Sequence, residues 1–245
     1  MMRVWLTPVI WFALLGVLAA FLPAMGSLFS WVQPGTDDLV YSRDSFYLLL
    51  QSHAWLVLVS ATIGTLVAVS AGIFVTRPWG RDFLPLVSQI ASIGQTVPPV
   101  AVLALAVPAL GFGEKPTLLA LALYGLLPIL RNTLAGMDGI NPGVLEAARG
   151  MGMSPAGVLF KVEFPLAGRV ILAGIRTSVT INIATAAIGS TIGARTLGDP
   201  VIAGLVNGNT AYVLQGAILI GLLALATDSL FEAVERLWAR RSLAV

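Results

Sequence analysis

Residues Glu146 to Pro165, EAARGMGMSPAGVLFKVEFP, form a polar, glycine-broken segment enclosed by long apolar runs. Their chemistry is that of docking. Asn141-Pro142 reads as a helix start, an N-cap side chain followed by a proline whose missing N–H costs nothing in the first turn. Val144, Ala147, Ala148 and Met151 then fall at helical spacing on a small apolar face. Gly150 and Gly152 break that helix, and Ser154-Pro155 starts another by the same device. Two short helices at an angle, tipped by glycines that allow close backbone approach, make a knob suited to a groove on another protein. The plainer reading is a connector with no partner, and length counts against it, because connections in helical bundles run about 2–8 residues.

A second pattern is polar and uncharged. Ser88, Ser92, Gln95 and Thr96 follow steps of three and four residues ahead of Pro98-Pro99, so they share one helix face. Thr177, Ser178, Asn182 and Thr185 form a comparable stripe further on. Such stripes serve either close helix packing in lipid or the lining of a water-filled path, and the two together favour a path. Pro98-Pro99 predicts a bend, which would let a gate flex.

Other chemistries lack their residues. Cysteine is absent and His53 is the sole histidine, so no thiolate or His-based metal site is expected. His53 itself reads as a packed or interfacial residue. GFGEKPT, near Gly111, lacks the spacing of a phosphate-binding loop. No paired-carboxylate or nucleophile–base constellation stands out. The chain is expected to bind no cofactor, and any use of ATP and Mg must fall to a partner.

The elements that position these residues are membrane helices. Hydrophobic residues make up 57% of the 245 and charged residues 11%, with mean hydropathy +0.90; soluble domains carry about a quarter charged residues. No Asp, Glu, Lys or Arg occurs from Val4 to Thr36, Ser45 to Thr76, Phe83 to Gly113 or Pro200 to Thr227. Each gap accommodates a span of about 20 residues. Pro116 to Leu130 must extend past Arg131 to cross, and Val170 to Ala194 contains only Arg176. Six helices result in an all-α polytopic protein, one domain over residues 1–245 with the polar loop at about 138–168. The first run is long and lacks a small-residue cleavage site, which favours a retained helix over a signal peptide. Asp228, near the end of the sixth run, is expected to meet headgroups, water or a cation.

Placing the N-terminus in the cytoplasm puts Arg3, Arg77, Arg81, Arg131, Arg149, Lys161, Arg169, Arg176, Arg236, Arg240 and Arg241 inside. Only Arg43, Lys115 and Arg195 remain outside. The positive-inside bias thus predicts cytoplasmic N- and C-termini and a cytoplasmic loop.

The loop resembles the EAA loop of ABC-importer permeases. That pattern is EAA, three residues, Gly, nine residues, then an aliphatic, any residue, an apolar residue and Pro. Glu146, Ala147, Ala148, Gly152, Val162, Phe164 and Pro165 occupy its slots, with valine and phenylalanine replacing the usual isoleucine and leucine. The resemblance implies a type I permease fold. Its coupling helix would be built from Glu146, Ala147, Ala148, Gly150, Gly152, Met153, Ser154, Pro155 and Pro165 and would dock on a dimer of ATPase subunits. GQTVPPVAVLALAVPALGFG, LYGLLPILRNTLAG, ILAGIRTSV, TRPWG and TLGDPVIAGL are similar to segments of osmoprotectant permeases, which handle glycine betaine, choline and carnitine. The likeness covers roughly residues 45 to 235. It implies a bacterial cytoplasmic (inner) membrane location, a second permease copy or paralogue, and an extracytoplasmic solute-binding protein; nucleic acid has no place in it. Substrate class comes from the resemblance alone. Trp31, Tyr41, Phe46, Tyr47 and Trp55 gather towards one surface, where an interfacial belt explains them as well as a cation cage does. An importer of methionine, thiamine or sulfonates, or a scaffold or sensor without a solute path, are the competing readings.

Overall fold

The computed structural model describes residues 2–242, with side chains from 4 to 239; the side chains of Arg3, Arg240 and Arg241 in the charge pattern lie outside the described residues. Among the described residues every regular element is helical. α1 (Met2–Phe21) runs on as a 3-10 segment to Phe29, and α2 (Phe46–Val75) follows an extended loop. α3 (Leu84–Thr96) and α4 (Pro99–Leu110) flank a break, after which α5 (Glu114–Asp138) crosses the molecule. The polar loop folds as α6 (Pro142–Gly150) and α7 (Pro155–Val158), then a π-turn, Leu159–Glu163. α8 (Phe164–Ala186), α9 (Gly198–Asn207) and α10 (Thr210–Ser242) complete the described residues.

Among the described residues four helices are long and apolar enough to cross a membrane: Val4–Phe29, Phe46–Val75, Glu114–Asp138 and Thr210–Ala239. A fifth span results if the bent pair Arg81–Thr96 and Pro99–Leu110 counts as one. That pair turns by 101°, a far sharper break than a proline kink. Pro98 and Pro99 remove two successive N–H donors, and the residue before a proline is driven out of helical geometry; Val97 is extended at ψ 128°. α8 has the length of a span at 23 residues, but Arg169, Arg176 and its hydroxyl and amide side chains make it more polar than the four. α5 does run past Arg131, as its short apolar stretch requires. The sixth apolar run divides, because Gly208 turns the chain at φ 66° between α9 and α10.

α5 lies at the centre, with α2 and α8 packed along it and α3 and α4 on its flank; α1 and α10 pair beyond. Leu49, Leu56 and Val57 of α2 meet Leu121 of α5, Val179 and Ile183 of α8 and Leu219 of α10 in the main core. Leu6, Val9, Ile10, Leu58, Leu66 and Leu105 remain exposed, as suits helices whose solvent is hydrocarbon. Between such helices water supplies no drive, so association depends on close packing at small residues.

His53 shows how tightly α2 is fixed. It is wholly buried. The Leu197 N–H donates to its Nδ1 at 3.3 Å, and its Nε2 lies 3.0 Å from the Ile183 carbonyl. That pairing fixes the neutral tautomer with the proton on Nε2. The ring is a polar staple joining α2, α8 and the segment before α9, as a packed histidine should be. His53→Ala strands a buried carbonyl and a buried N–H and leaves a cavity, an expected loss of about 3 kcal/mol. A lowered thermal midpoint of the detergent-purified protein is the check.

At the end remote from the polar loop, three amides stitch residues 33–41 to the start of α10. Gln33 donates to Gly208 O and accepts from Thr210 N. Asn209 donates to Asp38 O at 2.8 Å and accepts from Tyr212 N at 3.2 Å. Gln215 donates to Leu39 O and accepts from Tyr41 N. Each side chain satisfies one carbonyl and one N–H, giving an irregular segment the hydrogen bonds it lacks internally.

Candidate docking loop and polar path

The loop's turns follow from its caps. Asn141 accepts from Gly143 N at 2.8 Å and Pro142 occupies the first turn of α6. Ser154 accepts from Gly157 N at 3.1 Å with Pro155 next to it. Between the helices Gly152 stands at φ +81°, a conformation that costs other residues energy. Its N–H closes on Arg149 O, and Met153 N on Ala148 O at 3.2 Å. Glu146, Ala147, Gly150, Gly152, Ser154 and Pro155 are exposed, Met153 is half-buried, and Ala148 faces inward; Pro165 is exposed at the start of α8. Met151 projects from the tip with 76% of its surface exposed. Asn141, Val144, Ala147, Ala148, Met151 and Val162 line an apolar groove of about 410 Å³ beside it. The tip therefore presents apolar surface to its surroundings.

Arg77 and Glu163, neither of them expected to hold the loop, tie it to the bundle. Glu163, in the unrestricted slot of the motif, is 4% exposed. Arg77, just past α2, donates from Nη1 to Glu163 Oε1 at 3.1 Å and from Nη2 to Oε2. A lone carboxylate in an apolar run and the first cation after thirty helical residues were the available signals.

The stripe residues divide by environment. Ser178 and Asn182 are fully buried against α2 and α5. Asn182 Nδ2 lies 3.3 Å from Ser60 Oγ, and a Cβ on Gly125 would meet Ser178 Oγ at 2.3 Å. Ser178 Oγ and Asn182 Oδ1 carry no hydrogen bond from the protein. Thr177 is exposed and Thr185 half-buried; the Thr177 hydroxyl donates to Ala173 O in its own helix. On α3, Ser88 and Ser92 are half-buried, with Ser92 Oγ donating to Ser88 O at 2.8 Å. Gln95 and Thr96 are exposed near the break; Gln95 Nε2 donates to Tyr124 O at 3.2 Å, and Thr96 to Ile93 O. The Tyr124 hydroxyl donates to Val97 O, satisfying a carbonyl that the break frees. Both helices pack on α5, and the two stripes form no shared hydrogen-bonded cluster among the described residues.

Asp228 pairs with a cation, Arg176, whose Nε and Nη2 reach its two carboxylate oxygens at 2.6 and 2.7 Å; Glu235 adds a third contact at 3.2 Å. Far from the loop, a cavity of about 430 Å³ is lined by Tyr41, Arg43, Asp44, Arg195, Asp199 and Asn207. Arg195 Nε and Asp44 Oδ1 are 3.8 Å apart there, and burial raises the Asp199 carboxyl above its ordinary range. The aromatics near this end do not converge. Tyr41 packs edge-on against Tyr212 at 5.7 Å and beside Phe46, while Trp31, Tyr47 and Trp55 point outward. Among the described residues no group of His, Cys, Asp and Glu could hold a metal ion.

This arrangement, a helical membrane bundle with a capped polar loop, is the fold of ABC-importer permeases. An inward-facing MetNI methionine ABC transporter chain superposes with TM-score 0.70 at 22% identity, covering 81% of this chain and 99% of that one. A chain of an amino acid ABC transporter with histidines superposes with TM-score 0.61. Residues 64–240 match the family described as binding-protein-dependent transport system inner membrane component, and the chain belongs to that family. It is the permease component of an ABC import system, in which a separate subunit hydrolyses ATP. It is 40% identical over 212 residues to the choline transport system permease protein OpuBB of Bacillus subtilis, covering 86% of this chain and 94% of that one. It is 38% identical to the osmoprotectant import permease protein OsmY of Salmonella typhimurium, covering 83% and 86%. The carnitine transport permease protein OpuCB of Listeria monocytogenes is 40% identical, with 77% and 86% covered.

Proposed function

We propose that this permease conducts small quaternary amines of the osmoprotectant class, such as glycine betaine, choline or carnitine. The observation that carries the reading is the length and level of similarity to relatives named for these solutes, about two-fifths identity across nearly their whole length. The cavity lined by Arg43, Asp44, Arg195 and Asp199 supports it, since both signs of charge at one mouth suit a zwitterion or a cation.

In this reading six spans cross the membrane: α1, α2, the α3–α4 pair, α5, α8 and α10, with both termini and the loop in the cytoplasm. The whole chain acts as one domain, and two such chains, identical or paralogous, enclose the path. Glu146, Ala147, Ala148, Gly150, Gly152, Met153, Ser154, Pro155 and Pro165 form the loop that couples to a dimer of ATPase subunits. Ser88, Ser92, Gln95, Thr96, Thr177 and Thr185 contribute to the path, while buried Ser178 and Asn182 shape it from behind. A binding protein delivers the solute at the outer face.

The test is ATP-dependent uptake of labelled glycine betaine into proteoliposomes holding this chain with its neighbouring permease, ATPase and binding protein. Uptake that choline or carnitine competes away is the expected result. Absence of uptake while the loaded binding protein still stimulates hydrolysis would remove these solutes and leave the importer.

A further inference from the structure

We propose that Arg77 and Glu163 are positioning residues that bind the docking loop to α2, so that a displacement of the loop drives α2 directly. The inference rests on the coupling role given to the loop above. Glu163 ends a π-turn, Leu159–Glu163, that lies between α7 and α8. An α-helix transmits a push along its axis through its ladder of bonds from each N–H to the fourth carbonyl before it; a π-turn replaces that ladder with a wider one and is a compliant joint. Movement of α6 and α7 would be partly absorbed there before reaching α8.

The Arg77–Glu163 fork clamps the α8 end of that joint to α2, which α7 already faces ahead of the joint. Two parallel N–H···O bonds between planar groups resist rotation as well as separation. Burial keeps the carboxylate from water, so the pair is not screened as a surface bridge is. The α2 end is stiff in turn. Phe74 packs edge-on against Trp79 at 4.8 Å and, tilted, against Phe83 at 5.8 Å, holding the turn that carries Arg77. The second loop helix lies alongside, where Pro155, Ala156 and Leu159 face Ile73, Phe74 and Trp79 across a groove. From Arg77 the helix leads to Ser60, which meets Asn182, and then to His53, which meets Ile183 and Leu197. α2, faced by α7 ahead of the π-turn and clamped by the fork behind it, therefore joins the loop to the far end of α8 by a route beside that turn.

The experiment uses the complete transporter in proteoliposomes, with glycine betaine and choline as probes. It compares E163Q, the exchange variant R77E/E163R, and Gly152→Asp for solute moved per ATP hydrolysed, with co-purification of the ATPase as an assembly control. Expected is an E163Q protein that assembles and hydrolyses ATP while its transport per ATP falls about tenfold, with recovery in the exchange variant. Wild-type transport per ATP in E163Q overturns the proposal. So does an exchange variant that assembles yet stays uncoupled, and so does failure of both to assemble, which would make the pair a determinant of folding only. Uncoupling by Gly152→Asp beside normal E163Q removes the fork's role and keeps the loop's. Full coupling in Gly152→Asp removes the loop reading itself.

Discussion

Gly152→Asp leaves the permease inserted and assembled while transport falls at least about tenfold relative to ATP hydrolysis. The size of the effect follows from where the new atoms go. A Cβ at Gly152 meets nothing within 4 Å, so the fold has no clash to relieve. The φ of +81° costs a non-glycine residue about 1–2 kcal/mol, and aspartate is among the residues that tolerate it best. Nearly all of the damage therefore falls on whatever occupies the space outside the turn, beside exposed Met151 and the apolar groove. A carboxylate pressed into an apolar contact loses its water without gaining a partner. Solute uptake and ATP hydrolysis measured on one preparation separate this from misfolding, and coupled transport at the normal rate would refute the docking role.

Gly94→Ala acts by the opposite route and destabilises the bundle by about 3 kcal/mol. The added methyl would lie 2.4 Å from Leu123 O and 3.0 Å from Leu123 C. Those are backbone atoms of α5, which cannot rotate aside as a side chain does. α3 must move outward, and the bonds from Gln95 to Tyr124 O and from Tyr124 to Val97 O stretch with it. The expected readout is a thermal midpoint lower by about 10 °C in detergent and less protein in the membrane. Gly221→Ala, in α10, is the contrast: no atom lies within 4 Å of its Cβ, and alanine is the better helix former.

The helical class, the caps of the loop and the bend at the proline pair were all legible, because each depends on neighbours in sequence. Asn141-Pro142 and Ser154-Pro155 announce their turns through local chemistry alone. What could not be read was which face of a helix meets which neighbour. Ser178 and Thr177 differ by one position, yet one is sealed against Gly125 and the other exposed. A 3.6-residue repeat marks a polar stripe without saying whether it faces a path or the next helix. The long-range pairs Arg77–Glu163 and Arg176–Asp228 were hidden for the same reason, since 86 and 52 residues separate the partners. The division at Gly208 escaped notice because both sides of it are apolar and a length count sees one run.

The break between α3 and α4 also bears on the membrane around the protein. Thirteen and twelve residues give two rods of roughly 20 and 18 Å, well short of a hydrocarbon layer about 30 Å thick. With the rods turned by 101°, this flank presents much less hydrophobic height than the 30-residue α2. Acyl tails pressed against both would have to be two lengths at once. The bilayer beside α3 and α4 must therefore pinch inward, or give way to protein that covers the step. The chain has an uneven waterline, and mismatch alone sets a preference for which of its sides another subunit shields.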